Sequence, residues 1–287
     1  MPPVIHKLGL IAGNGRFPFL VLEEAVRRNI PVVVAAIKEE TSPEIEQCYR
    51  PEQGVEVHWL GLGHLGKLLR LFRDSAVDKA IMAGQVKHSR IFSREAPLSV
   101  SKIAASLPDL TMLGVLLSLP RKNTEALIGA IAAVLEKNGI KLLDSTCLLE
   151  HMLAPAGVLT HRQPTEEEWR NIRYGREIAR EIARLDIGQT IVIKDQAVVA
   201  VEAMEGTDET IRRAAALAGG RPVTVVKVSR ANQDMRFDVP VIGEKSLDVF
   251  KECRVSALAI DAGRTLIFDR QEFTAAADRL KMTITAE

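Results

Sequence analysis

Residues 6–37, His6-Lys-Leu-Gly-Leu-Ile-Ala-Gly13-Asn14-Gly15-Arg16-Phe17-Pro18 and, after a helical stretch through Arg28, Pro31-Val-Val-Val-Ala-Ala-Ile37, decide the fold. His6–Ala12 is an apolar strand that breaks at a glycine turn. Pro31–Ile37 is apolar without alternation, as a strand buried on both faces of a parallel sheet should be. Working outward, Val55–Leu60 is a third strand, followed by Gly61-Leu-Gly63-His64 and a helix to Phe72. Lys79–Ala83 is a fourth, ending at Gly84-Gln85-Val86. Strands alternating with helices predict an α/β domain with a parallel sheet and right-handed crossovers. Its ligand edge should be the carboxyl ends of the strands, where the glycine turns fall.

The first turn departs from a dinucleotide fingerprint. G-x-G-x-x-G needs a third glycine for close helix–strand packing, and Pro18 stands there instead. Proline is tolerated in the first turn of a helix. Glu39 and Glu40 follow the second strand, where a ribose-binding acid would lie. Two readings stay open: backbone N–H groups of Gly13, Asn14, Gly15 and Arg16 hold a phosphate or nucleotide, or the segment is a tight strand-to-helix turn.

Residues 91–137 read as helical, with Ser101, Asp109 and Asn123-Thr124 as caps and Lys137-Asn138-Gly139 as a stop signal. Arg121-Lys122-Asn123-Thr124 is a polar patch suited to an anion or to an exposed helix start. The expected division is residues 1–138 and 139–287. The second half opens with a short strand at Ile140–Leu143. Thr165-Glu-Glu-Glu168 is a capping box opening a long helix. Thr190–Ile193 and Ala197–Ala203 flank Lys194-Asp195-Gln196 as a hairpin. Pro222–Val228, Val255–Ile260 and Arg264–Phe268 are strands, and a helix starts at Arg270.

Residues 198–243 carry the chemistry. A strand ends at Glu202, Gly206 breaks it, and Thr207-Asp208 are N-cap types for the next helix. Carboxylates thus meet a helix N-terminus, a place that can hold an anion or a metal-bound phosphate. Some thirty residues on, a second polar cluster alternates acid and base: Lys227, Arg230, Asp234, Arg236, Asp238, then Pro240.

Composition narrows the options. Two domains are the natural prior for 287 residues. A net charge of +1 argues against binding nucleic acid by phosphate neutralisation. Three well-separated cysteines, Cys48, Cys147 and Cys253, argue against a disulfide framework or zinc knuckle and read as free thiols. No signal peptide is visible, and the most apolar later run, Leu110–Leu119, is about half a membrane span. The expected location is cytoplasmic, with that run able to touch a membrane face. There is no Walker loop, no H-E-x-x-H and no G-x-S-x-G, and the histidines do not cluster. Carboxylates, amides, bases and glycine turns remain. That set suits a divalent cation held with a substrate phosphate, and metal-assisted hydrolysis of a phosphate ester or anhydride.

Leu8–Gly15, Ala83-Gly84-Gln85-Val86, Leu185-Asp-Ile-Gly188-Gln189, Val201–Asp208 and Gln233-Asp-Met-Arg236-Phe-Asp238-Val-Pro240 resemble, in order and over nearly the whole chain, the LpxI-type UDP-2,3-diacylglucosamine pyrophosphatases of lipid A biosynthesis. The resemblance implies a Rossmann-like N-terminal domain, a family-specific α/β C-terminal domain, and a cleft between them for the substrate. It implies hydrolysis of UDP-2,3-diacylglucosamine to UMP and 2,3-diacylglucosamine 1-phosphate with Mg²⁺ or a similar cation. The family's key aspartate falls on Asp238, its Glu-Gly-Thr-Asp turn on Glu205–Asp208, and its basic residue on Lys227. Gln85 and Asn123 depart from the residues relatives often carry.

On this combined reading Asp238, with Asp208 or Glu202, orients a metal-bound water or the cation, so Asp238 and Asp208 are the candidate metal ligands. Lys227, Arg230 and Arg236 offset pyrophosphate charge, and Thr207 donates a hydrogen bond. Gly84, Gln85, Val86, Lys122, Asn123, Gln189, Gly206 and Gln233 complete the binding set with the first glycine turn. The acyl chains need an apolar groove, for which Leu110–Leu119 and Met152–Leu153 are candidates. A homodimer and transient inner-membrane contact are expected. A non-catalytic nucleotide-sugar sensor and a nicotinamide-dependent reductase are the alternatives.

Overall fold

A computed structural model describes residues 4–49, 51–86, 108–119, 124–230 and 233–287. The chain divides into two compact units, Met1–Leu149 with Met235–Phe237, and Glu150–Asp234 with Asp238–Glu287.

The first unit is built on β1 (Leu8–Ala12), β2 (Val32–Ile37), β3 (Val55–Leu60), β4 (Lys79–Ala83) and β5 (Lys141–Leu142). They form one sheet in the order β3-β2-β1-β4-β5, parallel throughout. All of β1 and β2 is buried, which is why both read as unbroken apolar runs. Helices α1 (Phe17–Arg27), α2 (Ile45–Cys48), α3 (Leu65–Asp74), α4 (Leu110–Ser118) and α5 (Thr124–Lys137) connect or cover the strands. One core joins Ile11, Val33, Ala35, Leu68 and Phe72 to Met112, Val115 and Leu135. The strand expected to open the second domain instead lies beside β4, with Leu142 opposite Ala80. The first unit therefore runs on to Leu149, past the expected division at 138/139.

Asp109 ties two helices of this unit together. One carboxylate oxygen accepts from Met112 N at 2.9 Å, capping α4. The other accepts from Gly66 N at 2.6 Å and Lys67 N at 3.3 Å in the first turn of α3. One side chain so satisfies donors that two helix starts leave open. Asp109→Ala is expected to cost about 2 kcal/mol, the upper end for a single cap. Urea unfolding checks this, and a loss indistinguishable from zero would contradict it.

The second unit contains β6 (Gly157–Val158), α6 (Glu166–Arg184), β7 (Thr190–Lys194), β8 (Ala197–Val201), α7 (Thr207–Leu217), β9 (Val223–Lys227), β10 (Val241–Ile242), α8 (Glu244–Glu252), β11 (Val255–Ile260), β12 (Leu266–Ile267), α9 (Arg270–Arg279) and β13 (Thr283–Ala286). Six strands make a mixed sheet in the order β6-β13-β11-β9-β7-β8, and β10 pairs with β12 apart from it. Neighbouring residues of each central strand face opposite layers. Val192, Val225, Leu258 and Ile284 pack with Ile211, Phe250 and Phe273 of α7, α8 and α9. Ile191, Ile193, Val226 and Ala257 pack with Ile172 and Ala179 of α6. Thr165 caps α6 in a full capping box with Glu168, as its sequence predicts. The β7–β8 hairpin is present, turning through Asp195 and Gln196 in left-handed backbone.

Candidate active site

The site in the second unit starts from strand ends. Thr190, first residue of β7, lies opposite Lys227, last residue of β9, across an antiparallel pair. β8 ends at Val201, and Glu202 N adds one more rung by donating to Thr190 O at 2.9 Å. This is possible because residue 188 is glycine: a Cβ there would stand 2.0 Å from Glu202 O. Gly206, at φ +85° in the left-handed region that favours glycine, turns the chain into α7. Gly206 is thus the N-cap, and Thr207 and Asp208 are the first helical residues rather than the caps their types suggested.

The side chains then meet. Thr207 Oγ1 donates to Glu202 Oε1 at 2.8 Å and accepts from Lys227 Nζ at 2.8 Å. Thr190 Oγ1 is 3.2 Å from the same hydroxyl. Glu202 Oε2 accepts from Gln189 N at 3.2 Å. Burial pushes the Lys227 ammonium below the usual lysine range, while Glu202, Asp208 and Asp238 pull it back up. Asp238 lies in a turn, its N–H donating to Asp234 O at 2.9 Å. Burial raises its carboxyl above the ordinary aspartate value; Arg230, Gln233 and Lys227 oppose this, and Asp186 adds to it. The Arg230 guanidinium is held by Asp186 at 2.9 Å, and the Arg230 backbone N–H donates to Gln233 Oε1 at 2.9 Å. A half-buried acid raised and a desolvated base lowered at one place is a pattern concentrated at functional sites.

Glu202, Thr207, Asp208, Lys227, Arg230, Gln233 and Asp238 are therefore mutually engaged, with Gln189 and Gly206 shaping the backbone. Arg236 is placed otherwise. It belongs to the first unit, where Nη1 donates to Glu136 at 2.8 Å, and Ser145 Oγ lies 2.6 Å from its carbonyl oxygen. Thr190 and Asp186 belong to the group yet were not singled out from the sequence. Asp186 sits inside the Leu185–Gln189 motif, so proximity to it was the available clue.

In the first unit the two glycine turns bind each other. Gly13 N donates to Ala83 O at 2.8 Å, Asn14 N to Gln85 O at 2.7 Å, and Gln85 N to Asn14 O at 2.9 Å. A Cβ on Gly13 would lie 2.7 Å from Gln85 O, and one on Gly84, at φ +92°, 2.6 Å from Asn14 O. The glycines are accounted for by this close backbone approach, and the N–H groups of Gly13 and Asn14 are used internally rather than aimed at a phosphate. Gly15, Arg16 and Gln85 are exposed at the same strand ends, with Val86 half-buried. Beside them is an open cleft of about 620 Å³ lined by Asn14, Lys38, Glu39, Glu46 and Trp59 among others. Lys122 and Asn123 lie outside the described residues.

Among the described residues no three His, Cys, Asp or Glu side chains stand together as a metal cage. Mg²⁺ is ordinarily held by one or two carboxylates plus substrate phosphates and keeps several waters. Asp208 and Asp238, both acting on Lys227, fit that sparser demand.

Fold and site define a two-unit α/β protein whose second unit gathers a desolvated cation, carboxylates and a threonine hydroxyl at strand ends. The LpxI N-terminal domain family matches residues 7–152 and the LpxI C-terminal domain family residues 155–285. A curated relative, UDP-2,3-diacylglucosamine pyrophosphatase LpxI of Caulobacter vibrioides, is 31% identical over 290 residues, covering 98% of this chain and 97% of the relative. The chain belongs to the LpxI family.

Proposed function

We propose that the protein hydrolyses the pyrophosphate bond of UDP-2,3-diacylglucosamine to UMP and 2,3-diacylglucosamine 1-phosphate in lipid A biosynthesis. Family membership supports the substrate. The observation that carries the chemistry is the Lys227–Thr207–Glu202 chain with Asp238 acting on the same lysine. Asp238, kept basic by burial, positions a water and takes its proton as the oxygen attacks phosphorus. The bridging P–O bond breaks, and its electron pair leaves with the departing phosphate. Lys227 and Arg230 offset the charge that grows on the phosphoryl oxygens in a setting with little competing water. Mg²⁺ would be held by Asp238 and Asp208 with substrate oxygens, and would add charge neutralisation there.

The acyl chains need apolar surface. On α4, Met112 and Val115 face the core while Leu110 and Leu117 stand 87% and 80% exposed, with Leu113 between them. This face supports contact with acyl chains and transient contact with the inner-membrane surface. No helix among the described residues is long and apolar enough to cross a membrane. A homodimer belongs to the same proposal, and light scattering on the purified chain tests it.

UMP release from UDP-2,3-diacylglucosamine is expected with Mg²⁺ and is expected to fall at least 100-fold in EDTA, returning when Mg²⁺ is restored. Undiminished turnover in EDTA would remove the cation from the mechanism. Tight binding without turnover would make the protein a nucleotide-sugar sensor instead.

A further inference from the structure

We infer that Glu202 is a positioning residue: its carboxylate holds the Thr207 hydroxyl against Lys227, and so fixes where the lysine ammonium meets a phosphate. The inference rests on the proposed hydrolysis, and it gives Glu202 a role apart from metal or water. Both Glu202 oxygens already have protein partners. Oε1 accepts from Thr207 Oγ1 at 2.8 Å and Oε2 from Gln189 N at 3.2 Å. The backbone is pinned as well, since Glu202 N donates to Thr190 O.

The direction of the chain follows from donor and acceptor counts. An ammonium can only donate and an ionised carboxylate can only accept, while a hydroxyl does one of each. Lys227 Nζ therefore donates to Thr207 Oγ1, whose single proton points at Glu202. Each bond polarises the next. Without Thr207 the four-carbon lysine stem would be free to choose other rotamers. Without the Glu202 charge, one of the groups favouring the ammonium against burial would be lost. The charged groups acting on Lys227 are Glu202 beyond β8, Asp208 on α7 and Asp238 on the turn beyond β9; Thr190 on β7 adds only a neutral hydroxyl.

Glu202→Gln keeps the shape and removes the charge; Thr207→Val keeps the shape and removes the hydroxyl. Each should lower kcat by roughly 10- to 100-fold, as a displaced catalytic group does. The double variant should be no worse than the stronger single one, because both break the same chain. Thr207→Ser should recover most of the rate. The readout that a merely structural role would not move is the titration of the lysine, followed by NMR on lysine labelled at Cε. The Lys227 signal is identified by its loss in Lys227→Met. In Glu202→Gln the ammonium should deprotonate at lower pH than in the wild type, and the alkaline limb of kcat/KM should move the same way. An unchanged lysine titration, or additive rate losses, would overturn the inference. Should the wild type fail to release UMP, the hydrolysis reading falls, while the titration still decides the role of Glu202.

Discussion

Asp238→Asn is expected to lose UMP release by roughly 10³-fold or more, while the protein stays folded and becomes slightly harder to unfold. The first half follows from the part assigned to the carboxylate, since a proton-handling group in the transition state contributes on the order of 10²–10⁴-fold. The second follows from linkage. Burial raises the carboxyl of folded Asp238 above its ordinary value. A group of that kind contributes stability that is fully present below its unfolded pKa and is lost as pH rises through its folded pKa. Once ionised, the carboxylate is on the costly side of that window, and asparagine removes the cost. Half-exposure and the facing charges of Arg230 and Lys227 limit the gain, so a rise of about 2 °C in Tm is the expected size. The same raised pKa places the acid limb of the wild-type rate above the usual carboxylate range, with activity falling as pH drops through it. A lower Tm for Asp238→Asn would show that the ionised carboxylate stabilises the fold on balance. Full turnover by the variant would take Asp238 out of the chemistry.

Gly188→Ala is the second large effect, and it acts through backbone alone. A Cβ at 188 would lie 2.0 Å from Glu202 O and 2.7 Å from its carbonyl carbon. Neither strand end can give way easily. Gln189 O accepts from Val228 N at 2.9 Å, and Glu202 N is committed to Thr190 O. Overpacking of this sort costs about 3 kcal/mol, the upper end of the usual range. The displaced Glu202 would also release Thr207 and, with it, Lys227. Thermal unfolding should show a Tm lower by about 6–12 °C, with turnover falling further than that loss accounts for at a temperature where the variant is folded. A wild-type Tm would mean that the hairpin shifts aside without resistance.

How much of this was legible depends on what each residue's neighbours are. The parallel strands of the first unit were readable because burial on both faces leaves an unbroken apolar run, as in Val32–Ile37. β13 was not, because Thr283 and Thr285 alternate with Ile284 and suggest a half-exposed strand, yet both threonines are fully buried. Thr283 Oγ1 meets that burial by donating to Arg162 O at 3.1 Å. β5 was visible as a strand but not as a member of the first sheet, since two residues carry no record of which edge they join. At the site, residue types were readable and partnerships were not. Nothing local in Lys227 says that its ammonium meets a hydroxyl twenty positions earlier. Nothing in the alternation around Arg236 points to Glu136, a hundred positions away. The glycine turns at 13–15 and 84 announced close approach correctly, but the approaching group is the other turn.

The sheet order of the second unit also sets a schedule. β13 lies inside the sheet, between β11 and β6. Thr285 sits opposite Val158, and Leu159 N donates to Ile284 O at 2.8 Å. That sheet cannot be completed until residues near 158 and 285 find each other, and closing so long a loop carries its entropy cost before any contact rewards it. In the first unit β1, β2 and β3 are neighbours in the chain as well as in the sheet. Refolding should accordingly show two phases. Protection of amides in β1–β3 is expected early, and protection of the β6–β13 pair only in the slow phase.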